Sequence, residues 1–180
     1  MEKHVSTVID WRGSYDLKEA QKVTWHEDNN GLYMFIGRTK GQRKDRLQYV
    51  GIAEKYLYDR FHKDHHIIKQ LDPDTLSIWI GEITSAGIPG KKPKKIGTAI
   101  DLSEWAMAYF LQLPLNDKKT KNPPTDAVSV YNRWWKKDYE TPRRRPRNDW
   151  PDLIDFVGHD YDSRLMWSGR IVKWPPEDNI

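Results

Sequence analysis

The chain has 180 residues, enough for one domain with a real core. It has no cysteine, so disulfides and thiolate metal sites are excluded, which fits a reducing cytoplasm. The net charge is +4, with nine tryptophans, no apolar leader at the start, and no run approaching the roughly 18 apolar residues that span a bilayer. The expectation is a soluble, cytoplasmic protein with no membrane partner.

Met1–Asn30 is mixed in character and reads as an N-terminal extension, with a short helix over Asp16–Lys22. Gly31–Gly37 (GLYMFIG) and Leu47–Ile52 are aromatic and β-branched runs that read as a hairpin. Its extended tip, Arg38–Arg46, holds five basic residues (Arg38, Lys40, Arg43, Lys44 and Arg46) and one acid. In Glu54–Leu71, Leu57, Phe61, Ile68 and Leu71 fall at helical spacing, predicting an amphipathic helix stopped before Pro73. Leu76–Thr84 reads as a third strand, and Gly87–Lys95 as a Gly/Pro/Lys loop. Asp101–Leu113 predicts a buried helix, opened by a capping box of Asp101 with Glu104 and ended by Pro114. Thr125–Ile180 reads as an irregular extension wrapped on the core. It is basic over Arg133–Arg147, with seven bases against two acids, and acidic from Asn148 onward.

In chain order, Gly31-Leu-Tyr33, Tyr49-Val-Gly51, Arg60, Glu104 and Asn116 form a set that resembles the GIY-YIG nuclease domain over residues 31–124, about half of the chain. Each piece alone is a weak signal; their order is more specific. The resemblance implies an α/β (α+β) fold, a small three-stranded sheet flanked by helices, with a one-metal phosphodiesterase site. It implies that Tyr33 activates the attacking water, Tyr49 holds water or phosphate, Arg60 contacts the scissile phosphate, Glu104 is the side-chain ligand to Mg²⁺ (or Mn²⁺), and Asn116 braces the site. The family often has His or Tyr one turn after the arginine, where this chain has Asp64. His65, His62 and Tyr56 are the candidates for that place. His65 is preferred, although it would need a shifted or bent helix.

The residue types suit the chemistry independently. A hard divalent ion accepts one carboxylate with waters and phosphate. Arginine's planar fork matches phosphate oxygens, and a phenol becomes a base only beside cations. Each residue also has a bland alternative: Tyr33 and Tyr49 as half-buried strand aromatics, Arg60 as the partner of Asp64, Glu104 as a cap, Asn116 as a turn residue.

The hairpin tip (Lys40, Arg43, Lys44, Arg46), Lys91–Lys95 and Arg143, Arg144, Arg145 and Arg147 are candidates for phosphate contacts. Trp134-Trp135 is a candidate for sequence reading or for packing. The leading reading is an endonuclease on DNA, restriction-like and acting as a homodimer. The alternatives are a non-catalytic nucleic-acid-binding module and a toxin-type or RNA-directed nuclease.

Overall fold

The first strand, β1 (His4–Tyr15), buries Thr7, Ile9 and Trp11 at every second position. It lies in the middle of the sheet. The structure is a computed structural model, and it describes residues 4–25, 30–87 and 96–167. After β1 come helix α1 (Leu17–Thr24) and strands β2 (Gly31–Gly37), β3 (Arg46–Ala53) and β4 (Ser77–Gly87). Helix α2 (Ile96–Phe110) follows, and then β5 (Ala127–Trp135), β6 (Pro142–Arg143), β7 (Leu153–Phe156) and β8 (Arg164–Met166).

These strands form one mixed sheet in the order β3-β2-β4-β1-β5-β7-β8, with β6 on β5, curled into a half-barrel. Only the β1–β5 pair is parallel among the described strands. The expected three-stranded sheet flanked by helices is therefore corrected to an eight-stranded sheet with two helices among the described residues. Residues expected to form an irregular C-terminal extension supply four of its strands. β1 hid its amphipathicity because Asp10, on its polar face, is buried and paired with Arg133, whose Nε and Nη2 donate to the carboxylate at 2.6 and 2.7 Å. That partner lies 123 residues away, beyond any local pattern.

Apolar side chains fill both faces. On one, Ile9, Trp11, Met34, Trp79 and Val130 pack with Leu102, Ala106 and Met107 of α2. On the other, Tyr33, Phe35, Ile78 and Ile80 pack with Ala20 of α1 and with Leu57, Phe61 and Ile67. Every residue of β2 is buried, as expected for a strand covered on both sides.

Two expected helices change. The helix expected over Glu54–Leu71 is a series of bends with two 3-10 turns, Tyr58–Arg60 and Ile68–Gln70. Its apolar residues are buried, but the intervening Asp59, His62, Asp64, His65 and His66 are weak helix formers. The first 3-10 turn has no side-chain cap. In α2, residues 96–100 are already helical, so Asp101 and Glu104 are not a capping box; both lie inside the helix. By contrast α1 does open with a capping box, Asp16 with Glu19.

Candidate active site

Tyr33 and Tyr49 come from adjacent strands, and Tyr33 is in register with Gly51. The Tyr33 ring is almost fully buried, boxed by Phe35, Tyr49, Phe61 and His65 at centroid distances of 5.1 to 6.2 Å. Its phenol lies over Gly51: a Cβ there would stand 2.5 Å from the Tyr33 oxygen. Gly51 thus makes room for a phenol.

One cleft of about 400 Å³ is lined by Tyr33, Tyr49, Arg60, His65 and Glu104, with Ile52, Asp59, His62, Asp64 and His66 around them. The segment expected as a helix is what admits His65: a 3-10 turn followed by bends frees it from the 100° per residue that would have swung it away. Tyr56 points outward and does not line the cleft; His62 lines its rim.

Asn116 reaches the outer edge of β3. The Val50 N–H donates to its Oδ1 (3.0 Å) and its Nδ2 donates to the Val50 carbonyl (2.9 Å). Its amide thus takes the place of a neighbouring strand beside Tyr49 and Gly51. Asn116→Ala should therefore cost about 1–2 kcal/mol, or roughly 3–6 °C in melting temperature. An unchanged melting curve would show that the brace is dispensable.

The charges in the cleft are strongly biased. Burial, helped by the neighbouring Tyr49, pushes the Tyr33 phenol up; burial and then Glu104 do the same to Tyr49. Burial raises Glu104 too, opposed by Lys119. The Arg60 charge acts on all four of Tyr33, Tyr49, His65 and Glu104.

His65 is held down to about 4 by burial and by His66, His62 and Arg60. It is neutral at pH 7. Its Nδ1 accepts from the Ile67 N–H at 3.2 Å, which leaves the proton on Nε2, 3.4 Å from the Tyr33 hydroxyl. A histidine in the unfolded chain titrates near 6.5. Between about pH 6.5 and 4 the unfolded state therefore binds a proton that the folded state does not, and stability falls as pH falls through that window. The ring borders the open cleft, so on the order of 2 kcal/mol is expected rather than the full shift. The pH dependence of melting should flatten in His65→Gln; an equally steep profile would assign the loss to other groups.

Lys119 is the residue that the sequence did not single out. Its Nζ donates to Asp101 Oδ1 at 2.5 Å and to Glu104 Oε2 at 2.6 Å, and it sits 5.9 Å over the Trp105 ring. Burial disfavours its charge, but the two carboxylates outweigh that and hold it protonated. No local signal marks it, because it lies in a lysine-rich stretch (KKTK) and its partners are 15 and 18 residues away.

Glu104 fits a hard divalent ion. Its carboxylate is largely buried, faces the cleft, and already draws a cation. Among the described residues no group of three or more His, Cys, Asp or Glu could hold a metal, so an ion at Glu104 would complete its shell with water and phosphate, as Mg²⁺ commonly does.

The basic residues fall into separate places. Arg43, Lys44 and Arg46 of the hairpin tip meet Arg147 around a cleft of about 630 Å³ that also touches Leu111 and Gln112. Leu111 follows Glu104 by seven positions, about 10 Å along a helix axis. Lys40 is exposed nearby on the same tip. Arg143, Arg144 and Arg145 instead line a different cleft with Lys136 and Lys137. There Arg143 stacks on Trp79 and donates to the Gly13 carbonyl, and Arg145 pairs with Asp152. Trp134 is buried and packs edge-on against Trp150; Trp135 is half-buried. Lys91–Lys95 lies outside the described residues. Among the described residues, no helix is long and apolar enough to cross a membrane.

No protein-family model, curated protein or solved structure matches the chain significantly.

Proposed function

We propose that this chain is a metal-dependent endonuclease that hydrolyses phosphodiester bonds in DNA, using a GIY-YIG-type site. The observation that carries this reading is the single cleft shared by Tyr33, Tyr49, Arg60, His65 and Glu104, with Arg60's charge acting on the other four.

Glu104 would hold Mg²⁺ or Mn²⁺, which when bound supplies charge neutralisation at the phosphate and acidifies water. Arg60 grips the non-bridging oxygens with a fork that stays charged at any working pH. The phenols of Tyr33 and Tyr49 orient the attacking water, and one of them takes its proton. Burial opposes a phenolate there, whereas the His65 Nε2–H and the Arg60 charge favour it. The basic hairpin tip and Arg147 would hold the backbone beyond the cut, and Arg143, Arg144 and Arg145 a more distant part of it. Such an enzyme would work as a homodimer to cut both strands. A cytoplasmic setting fits the cysteine-free composition.

A second reading, a nucleic-acid-binding module that does not cut, is favoured by Lys119 already holding Glu104. One assay separates them. A labelled duplex oligonucleotide should be cut in Mg²⁺ or Mn²⁺ and left intact in EDTA, and an RNA duplex run alongside reports the substrate class. Binding without cutting in any divalent ion would favour the module.

A further inference from the structure

Helix α1 presents an outward face that its own packing does not use. Lys18, Lys22 and Trp25 recur at i, i+4 and i+7, the spacing that shares one face. The helix buries Ala20 and Thr24, whereas Trp25 stays 59% exposed. Its indole meets Tyr58 edge-on, with centroids 4.4 Å apart. Together with Lys18, Gln21 and Lys22, the two aromatic residues line an open cleft of about 470 Å³. Anchoring α1 to the 3-10 turn would be better served by a buried indole. Among the described residues, neither lysine has an ion-pair partner.

One 3-10 turn serves both this cleft and the proposed active-site cleft. Tyr58 lines the first, and Asp59 and Arg60, the next two residues of the same 3-10 turn, line the other. We infer that the Trp25–Tyr58 cleft takes an unpaired nucleobase of the substrate strand, beside the phosphate gripped by Arg60, with Lys18 and Lys22 on the flanking backbone. The inference rests on the phosphodiesterase reading of the neighbouring cleft. An indole offers a flat face to any base, so the contact tolerates sequence. Two exposed lysines at its rim match the charge of the strand that carries the base. The base can come from a single-stranded region or be turned out of a duplex; both present the same face.

The test is binding to the full chain carrying Glu104→Gln, at fixed salt, of a single-stranded oligonucleotide, a fully paired duplex and a duplex with one unpaired base. Trp25→Ala should weaken binding to both ligands with an unpaired base by roughly tenfold and leave the paired duplex nearly unchanged. Loss on the single strand alone would assign the cleft to single-stranded regions, and loss on the bulged duplex alone to a base turned out of a duplex. Trp25→Phe should recover most of the affinity. Lys18→Ala and Lys22→Ala, both at exposed positions, should each flatten the single-strand salt dependence by about 0.7 in log–log slope. They carry the test if Trp25→Ala folds poorly. Unchanged affinity in these variants, or an equal loss on the paired duplex, overturns the inference. A chain that never cuts but loses these contacts would sink the nuclease reading and keep this one; a chain that cuts but binds unchanged would do the opposite.

Discussion

Glu104→Gln is expected to lower divalent-metal-dependent cleavage roughly 10³-fold while the protein still folds and binds DNA. The substitution keeps the volume of the side chain and removes the negative charge that a hard cation needs. It also removes one of the two carboxylates that hold Lys119, but Asp101 keeps its contact with that ammonium at 2.5 Å. The carboxylate is 12% exposed and its ionisation is opposed by burial, so a neutral amide should be tolerated structurally. Melting within a few degrees of the parent, together with the lost rate, separates a chemical role from a structural one. A variant that cuts at the parent's rate would remove Glu104 from the mechanism.

Gly51→Ala is the second large effect, and it acts through packing. The added methyl would lie 2.4 Å from Tyr33 Cζ and 2.7 Å from Tyr49 Cε1, well inside van der Waals contact. Tyr33 cannot swing away, because Phe35, Phe61 and His65 close around it. A cost of about 2–3 kcal/mol is expected, with the phenols displaced and cleavage lost. Gly97→Ala is the control: among the described residues nothing lies within 4 Å of a Cβ there, and the position is helical, so stability should hold or rise by up to about 1 kcal/mol. If Gly51→Ala melts like the parent and cuts normally, the phenol's seat over that glycine has no functional weight.

The hairpin of Gly31–Gly37 with the strand around Leu47–Ile52, the strand at Leu76–Thr84 and the buried helix near Glu104 were legible because each carries its own period. So was the ordered set Tyr33, Tyr49, Arg60, Glu104 and Asn116, and these positions do meet: four line the cleft and Asn116 ties down the strand beneath it. What could not be read was long-range. β1 is an interior strand because β4 and β5 flank it, and Arg133 neutralises its buried Asp10. The tryptophan-rich region after residue 125 looked irregular because short strands such as β7 (LIDF) carry too few positions for a period. Helical spacing misled at Leu57–Leu71, where tertiary burial of each apolar residue outweighs the pattern. That same departure brings His65 to Tyr33, which regular helical geometry opposed.

The proposed phosphodiesterase site is the one cleft lined by Tyr33, Tyr49, Arg60, His65 and Glu104. Its most direct test is the fate of a closed-circular plasmid incubated with the chain and Mg²⁺. Nicked and then linear DNA is the expected product. Plasmid that is bound tightly but stays supercoiled in both Mg²⁺ and Mn²⁺ would contradict the account.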